Sequence, residues 1–236
     1  MSLIEGIAVH IAEAEILENK RTALSLIEWN PSSALLDCGC NDGNLTIEIA
    51  KKIETSNIYG IDIVSNNVNA AKTKKIKVYQ GDLNTKLPFP DEMFDMVHVS
   101  HIIEHLYNTD LFVKELYRVL KFGGYSVIST PNLSSFRNIL YLIFGKQPPA
   151  AHVSDEVVVG GWKATYTYPP FLSGPKHRRL FTFGALTGLC KYNGLRVEKC
   201  KGSGFYPFPP FISRLLTPIL KPYSSHISIK VRKCYL

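Results

Sequence analysis

The chain has 236 residues, of which 45% are hydrophobic and 20% are charged. This composition is typical of one globular domain and excludes a disordered chain. Lysine and arginine number 27 against 20 acidic residues, and the resulting net charge of +7 is compatible with anionic small molecules, nucleic acid or a membrane surface. Neither a membrane-spanning helix nor a secretory signal is expected. Five cysteines without a C-x-x-C pair argue against disulfides and zinc-thiolate sites and indicate a cytoplasmic protein.

Helices and strands are expected to alternate along most of the chain. Apolar residues at four-residue spacing predict a helix across residues 1–30. Further helices are expected to alternate with short apolar strands at 34–37, 57–62, 77–80, 94–99 and 125–130. We expect Ser65 to cap the helix after the second strand, and Gly123 and Gly124 to end the helix before the fifth. The pattern predicts an α/β fold of the Rossmann-like, doubly wound kind, with helices on both faces of a mostly parallel sheet.

The alternation is interrupted by residues 133–180, which are rich in proline, glycine and aromatic residues and predict a lid over the ligand. It resumes with helices at 183–192 and 211–220 and strands at 195–200 and 226–232. The last strand is expected to be antiparallel and to complete a seven-stranded sheet. We therefore expect one domain over 1–236, made of N-terminal helices (1–30), a cofactor-binding core (31–132), the lid (133–180) and a C-terminal completion (181–236).

Acidic residues follow each of the first three predicted strands. The first ends in the segment 37–43 (DCGCNDG), whose glycines let a ligand approach the backbone and whose leading acid, Asp37, suits an ammonium better than a phosphate. Asp62 ends the second strand, at the place of an acid that binds both hydroxyls of a ribose. Asp82 follows the third strand and can accept from an exocyclic amine. An amine-bearing tail, a ribose and an adenine describe S-adenosylmethionine.

Five short segments occur in a recognisable order, at 35–40, 60–62, 81–83, 94–97 with 103–106, and 120–124. Their order and spacing resemble the class I S-adenosylmethionine-dependent methyltransferases, of type 11 or 23, in the ubiquinone-type or polysaccharide-cluster branch. The resemblance implies that the protein is an enzyme with S-adenosylmethionine as its cofactor. It also implies roles for particular residues: Asp37, Gly39 and Gly43 at the methionine moiety, Asp62 and Ile63 at the ribose, Asp82 and Leu83 at the adenine, and Ser100 near the sulfonium.

One position of the cofactor loop departs from that pattern. Asn41 stands where many members of the family have glycine. Asparagine is the non-glycine residue that best tolerates a left-handed backbone, so we expect Asn41 to preserve the loop and to remain part of the cofactor site.

The segment 101–105 (HIIEH) follows the fourth strand and matches the H-x-x-E-H pattern of some metalloproteases. It also resembles the metal-binding E-x-x-E-H of small-RNA 3′-end methyltransferases, with His101 in place of the first glutamate. Because that pattern is incomplete and no other ligand cluster is visible, we expect no metal at Glu104 and His105. These residues are expected to border the cofactor pocket instead.

Methyl transfer from a sulfonium requires alignment of the reacting atoms and the removal of at most one proton. His101 and His177 are the candidate catalytic residues, and His152 in the lid is a weaker one. The basic segment 176–179 is expected to face the acceptor or to be a solvated loop, and His177 or Arg178 to point toward the methyl-transfer site.

The acceptor is expected to be a small molecule, a glycosyl group or a lipid-linked compound, methylated on oxygen. Aromatic residues support a pocket for rings or chains, namely Phe136, Tyr141, Phe144, Trp162, Tyr166, Tyr168, Phe171 and those of 205–211. Peripheral contact with a membrane is compatible with this expectation. Two alternatives stay open: methylation of RNA, indicated by the net charge, and a protein that binds the cofactor without catalysis.

Overall fold

A seven-stranded sheet forms the centre of the protein in the computed structural model, which describes residues 3–162, 166–167 and 176–235, with the side chains of 3–12 and 166–167 outside the description. Its strands lie in the order β3-β2-β1-β4-β5-β9-β8. They are β1 (Leu35–Cys38), β2 (Ile58–Asp62), β3 (Lys77–Gln80), β4 (Phe94–Ser100), β5 (Leu120–Pro131), β8 (Leu195–Ser203) and β9 (His226–Lys233). A separate hairpin pairs β6 (Val157–Val158) with β7 (Tyr166–Thr167).

Helices connect these strands. They are α1 (Leu3–Leu24), α2 (Asn44–Ile53), α3 (Ser65–Lys72), α4 (Thr109–Val119), α5 (Phe136–Ile143), α6 (Phe183–Tyr192) and α7 (Pro210–Ile219), with 3₁₀ turns at Ile103–His105 and Lys221–Tyr223. No helix in the described residues is long and apolar enough to cross a membrane.

The sheet is parallel except at β9. Strands β1 to β5 pair in parallel, whereas β9 is antiparallel to both β5 and β8, between which it lies. The strand order reverses between β1 and β4, and ligands bind beyond the carboxyl ends of parallel strands at such a reversal. The predicted Rossmann-like fold with an antiparallel last strand is confirmed.

Two apolar cores cover the two faces of the sheet. Neighbouring residues of one strand point to opposite faces, so Leu35 belongs to one core and Leu36 to the other. The larger core includes Phe112 and Leu116 of α4, both fully buried. Burial on both faces is complete in the central strand β1, all four residues of which are buried, whereas only Val78 is buried in the edge strand β3.

Three expected boundaries are wrong. The first helix, expected across residues 1–30, ends at Leu24. Helix α4 ends at Val119 and the chain passes directly into β5 at Leu120, so Gly123 and Gly124 lie inside the strand. Gly123 has φ +81°, and the pairing register of β5 with β4 shifts nearby, as at a β-bulge. Ser65 is the first residue of α3 rather than its cap: the N-cap position is occupied by Val64, and no side chain caps this helix.

Because Leu116 is fully buried, Leu116→Ala should lower the free energy of unfolding by about 2–5 kcal/mol. Lys114→Ala on the exposed side of the same helix is the matched control and should change it by less than about 0.5 kcal/mol. Urea unfolding followed by circular dichroism measures both. Equal effects for the two variants would contradict this packing of α4.

Candidate functional site

The loop after β1 has a left-handed backbone at three positions. Gly39, Asn41 and Gly43 have φ of +74°, +48° and +82°. The N–H groups of Gly39 and Cys40 donate to the carbonyl of Ile61, 2.8 and 3.1 Å away, which ties the loop to β2. Asparagine at position 41 therefore adopts the backbone expected of glycine, as predicted from its tolerance of this region.

A cavity of about 340 Å³ opens between this loop and the end of β4. It is lined by Lys20, Asp37, Gly39, Cys40, Asn41, Asp42, Asn44, Leu45, His98 and Ser100. The cation of α1 that borders it is Lys20, which also pairs with Glu48. Arg21, the next residue, lines a different surface cavity. No sequence pattern indicates Lys20, because a solvated helix face and a pocket wall have the same residue pattern.

Asp37 is 2% exposed and is held from two sides. It lies opposite His98 in the β1–β4 register, and the distance from its Oδ1 to Nδ1 of His98 is 2.8 Å. Its Oδ2 accepts from the hydroxyl of Thr46 in α2. The carboxylate thus joins the two strands and the helix that form the cavity. Asp37 was predicted from the sequence, whereas His98, 61 positions away, and Thr46, nine positions away in the next helix, were not.

The other two predicted acids occupy different surroundings. Asp62 is buried, and its two oxygens accept from the N–H groups of Asn41 and Val64, each 2.9 Å away. Asp82 is exposed and accepts from the backbone N–H and the side chain of Asn84, each at 2.9 Å. The side chain of Ile63 is 60% exposed beside Asp62, whereas Leu83 packs into the larger core.

His101 stands directly after β4 in a left-handed conformation, with φ +52°. Its Nε2 lies 2.8 Å from the amide nitrogen of Asn19 in α1, and its Nδ1 lies 3.2 Å from Oε1 of Glu104. Both ring nitrogens therefore have polar neighbours from the protein. Ser100, one residue earlier, contributes to the cavity wall, and its hydroxyl lies 3.2 Å from that of Ser129.

Glu104, His105 and His177 come together beyond the end of β4. One ligand atom from each lies within 4.8 Å of the other two. The ring Nδ1 of His105 is 3.2 Å from the carbonyl of Lys176, and that of His177 is 3.0 Å from the carbonyl of Ala150. We expected no metal here partly because the sequence shows no further ligand cluster. That reason no longer holds, because His177 supplies a third donor.

Burial and neighbouring groups shift the pKa values of His177, His152 and Glu104. Desolvation lowers the pKa of His177, and burial together with the neighbouring His177 lowers the pKa of His152 to about 4. Both imidazoles are therefore neutral near pH 7. Burial alone would raise the pKa of the Glu104 carboxyl, but the neighbouring His101 outweighs it and the pKa lies below its usual value. Glu104 is thus an ionised carboxylate with 1% exposure.

The lid is described in part. Its helix α5 contacts the C-terminal segment through the rings of Phe136 and Phe205, which stack at 5.7 Å. Tyr168 and Phe171, and the side chain of Tyr166, lie outside the described residues. Arg178 pairs with Asp155 at 3.3 Å and lies over the ring of Tyr107, so the expectation that it faces the acceptor has no support in these contacts.

Comparisons with known proteins agree on one family. Residues 36–128 match the family model described as "Methyltransferase domain". The mitochondrial ubiquinone biosynthesis O-methyltransferase of Rattus norvegicus is 30% identical over 74% of this chain and 47% of its own length. The ubiquinone/menaquinone biosynthesis C-methyltransferase UbiE of Geotalea daltonii is 32% identical over 55% of this chain and 60% of its own length. The chain thus spans about half the length of these curated relatives.

The fold is also found among solved structures. An S-adenosylmethionine-dependent methyltransferase from Thermotoga maritima is similar with a TM-score of 0.62, over 94% of this chain and 91% of that one. At 17% identity this likeness bears on the fold alone.

His226, whose ring lies next to that of His101, allows the effect of desolvation on a histidine pKa to be tested. Although part of this residue reaches the surface, its Nδ1 is buried without a hydrogen-bond partner among the described residues, and its ring lies 5.3 Å from that of His101. Desolvation, reinforced by His101, lowers its pKa to about 3. Between pH 6.5 and about pH 3 the unfolded chain binds a proton that the folded protein does not bind. The free energy of unfolding therefore decreases by about 1.4 kcal/mol for each unit by which the pH is lowered.

His226→Gln should therefore reduce the slope of unfolding free energy against pH between pH 6 and pH 4 by about 1.4 kcal/mol per unit. Urea unfolding at several pH values measures the slope, which stays informative even when the variant is less stable throughout. A variant with the wild-type slope would show that His226 is protonated in the folded protein.

Proposed function

Since the chain is a class I S-adenosylmethionine-dependent methyltransferase of type 11, we propose that it methylates an oxygen of a small-molecule, glycosyl or lipid-linked acceptor. The observation that carries this proposal is the position of the Glu104–His105–His177 cluster. It follows β4 directly, and the cavity that we assign to the cofactor also ends at β4, with Ser100 in its wall. S-adenosylmethionine bound in the cavity and an acceptor bound at the cluster would therefore be adjacent.

The residues of the cavity and of the neighbouring strand ends suit S-adenosylmethionine. Asp37, Asp62 and Asp82 stand at or just after the ends of three adjacent strands, which is the order in which an ammonium, a ribose and an adenine would lie. Asp62 is held in place by two backbone N–H groups, and its Oδ1 also accepts from the side chain of Asn67, 3.4 Å away. Its Oδ2 keeps a second lone pair for a ribose hydroxyl. Lys20 offers a cation for the carboxylate of the methionine moiety. When bound, the cofactor supplies an activated methyl group.

An acceptor hydroxyl must lose a proton as it takes the methyl group, so the site needs a base or a Lewis acid at that oxygen. Of our two catalytic candidates, His177 is better suited. Its Nδ1 faces a carbonyl, which leaves the Nε2 lone pair of the neutral ring available. His101 has protein groups at both nitrogens, and we propose that it positions Glu104 and the start of the acceptor pocket.

Methylation of carbon is a second candidate, because the relatives include both O- and C-methyltransferases of quinone biosynthesis. RNA methylation is less supported by the structure than by the net charge. Several cations are paired with acids: Arg118 with Glu115, Arg232 with Glu198, and Lys230 with Glu28. Lys230 is also buried, so part of the positive charge does not contribute to a basic surface.

We also propose that residues 1–236 form one domain, because strands from both sides of the lid share one sheet. A cytoplasmic location is proposed from the five cysteines, all of which are free thiols in the structure.

The experiment for the acceptor uses S-adenosylmethionine with an isotopically labelled methyl group. The protein is incubated with catechols and phenols, with and without prenyl chains, with glycosides, and with short RNAs. Mass spectrometry of the products locates the label. We expect methyl ethers of a small or lipid-linked acceptor. Label found only on ring carbon or only on RNA would overturn the proposal.

Asp62→Ala should weaken binding of S-adenosylmethionine and of its demethylated product by about 2 kcal/mol, because charge-assisted hydrogen bonds to the ribose are lost. Asp62→Asn retains the shape of the side chain but removes its charge, so it separates loss of the charge from loss of the contacts with the loop. Asp110→Ala, an exposed acid at the start of α4, is the matched control and should bind as the wild type does. Calorimetry measures all four proteins. Unchanged affinity in both Asp62 variants would exclude the assigned ribose site.

His177→Ala should leave cofactor affinity unchanged and lower turnover by about 10²–10⁴-fold, because the acceptor oxygen loses the group that assists its deprotonation. Steady-state kinetics with an acceptor from the panel and calorimetry with the cofactor measure the two quantities. Full activity of the variant would refute a role for His177.

A further inference from the structure

We propose that a second cavity, at the β8 edge of the sheet, binds a phosphate or diphosphate group. This second cavity has a volume of about 740 Å³ and shares no lining residue with the cofactor cavity. Its walls come from the C-terminal part of α1, from the edge strand β8, and from α7 with the turn that follows it. A ligand bound there would be distinct from both the methyl donor and the acceptor.

Positive charge dominates the wall of the second cavity. Among the described residues that line it, one is an acid, Glu18, and four are cations from three elements, namely Arg21, Lys201, Arg214 and Lys221. Arg214 lies 3.7 Å from Glu18, so these two charges offset each other. Three cations remain without a carboxylate partner in the described part of the chain. Like charges on a concave surface raise the local concentration of anions.

The three remaining cations keep hydrogen-bond donors available. The guanidinium of Arg21 has no ion pair or hydrogen bond with any described residue. The Nζ of Lys201 donates to the hydroxyl of Ser25, 2.8 Å away, which uses one of its three N–H groups. The Nζ of Lys221 lies 5.7 Å from the ring of Phe183 rather than beside an acid. Guanidinium and ammonium groups donate charge-assisted hydrogen bonds to phosphate oxygens, so the second cavity offers the donors that such a group needs.

A second group of cations shows how the fold treats positive charge elsewhere. Lys230 and Arg232 of β9 both contact Glu28 and Glu198, so each of these cations has two carboxylate neighbours. The wall of the second cavity has one acid for four cations. An anion from outside the protein would therefore offset charge there that the described residues leave uncompensated.

Helix α1 borders both cavities. Lys20 lines the cofactor cavity, whereas the next residue, Arg21, lines the second cavity. One residue earlier, the amide nitrogen of Asn19 lies 2.8 Å from Nε2 of His101. An anion on Arg21 would thus be held by the helix that also borders the cofactor, without occupying the cofactor's place. We expect both ligands to bind at the same time.

Two sources carry the proposed group, namely soluble phosphate compounds and the headgroups of phospholipids. Leu215 and Ile219 of α7 are 69% and 79% exposed, and each directly follows a residue of the cavity wall, Arg214 or Pro218. An apolar chain attached to the phosphate would cover these side chains. The probes are therefore inorganic phosphate, inorganic pyrophosphate and the short-chain lipid dihexanoylphosphatidic acid.

The test is calorimetry of each probe at low ionic strength, with S-adenosylhomocysteine present at saturation to fill the cofactor cavity. We expect one probe molecule per chain, bound about 10-fold more weakly by Arg21→Gln and by Lys221→Gln, because each variant loses a charge-assisted contact. Ser25→Asp places a carboxylate beside Lys201 and should weaken binding by more than about 10-fold. Lys52→Gln, an exposed cation of α2 outside the cavity, is the matched control and should bind as the wild type does.

Circular dichroism and the affinity for S-adenosylhomocysteine verify that each variant is folded. Tighter binding of the lipid than of inorganic phosphate would support the proposal and assign a lipid headgroup, and the reverse would support it and assign a soluble ligand. No saturable binding of any probe, or equal affinity in the wild type, Arg21→Gln and Ser25→Asp, would overturn it. An equal loss in Lys52→Gln would also overturn it, because net charge alone would then attract the anion.

Discussion

The proposed acceptor end of the site depends on one buried carboxylate, that of Glu104. An ionised group with 1% exposure is stable only where polar partners surround it. Thr130 at the end of β5 donates to it, His101 at the end of β4 lies beside it, and the backbone after His177 is bound to its carbonyl. The position of the described end of the lid against the sheet therefore follows from where this residue is buried.

The cofactor end is built by a different means, namely backbone conformation. Three left-handed residues in five turn the chain sharply after β1, and Asp62 accepts from the middle of that turn. Asp37 stands just before this turn and is held by contacts with His98 of β4 and Thr46 of α2. The two ends meet at Ser100 and His101, where a non-glycine residue in the left-handed region marks local strain. Strained backbone of this kind occurs at functional sites, where the position of the side chain is retained at a cost in local stability.

Local features could be read from the sequence because their causes are local. The succession of strands and helices along the chain follows from short apolar runs, and Asn41 was recognised because few residues tolerate its backbone. Gly123 and Gly124 led to a wrong prediction of a helix end, because a glycine pair permits a bulge in a strand as readily as the end of a helix. The contact between Asn19 and His101 crosses 82 positions, and nothing in either neighbourhood indicates it. The approach of His177 to Glu104 depends likewise on the path of a long irregular segment, which periodicity does not encode.

We propose that one continuous site joins the cofactor cavity to the histidine–carboxylate cluster. A crystal structure of the protein with S-adenosylhomocysteine tests it most directly. We expect the ribose hydroxyls to bind Asp62 and the sulfur atom to face Nε2 of His177 across a gap that one acceptor oxygen spans, with reacting atoms about 3–3.5 Å apart. A sulfur atom turned away from the cluster, or separated from it by packed side chains, would show that the two places do not form one site.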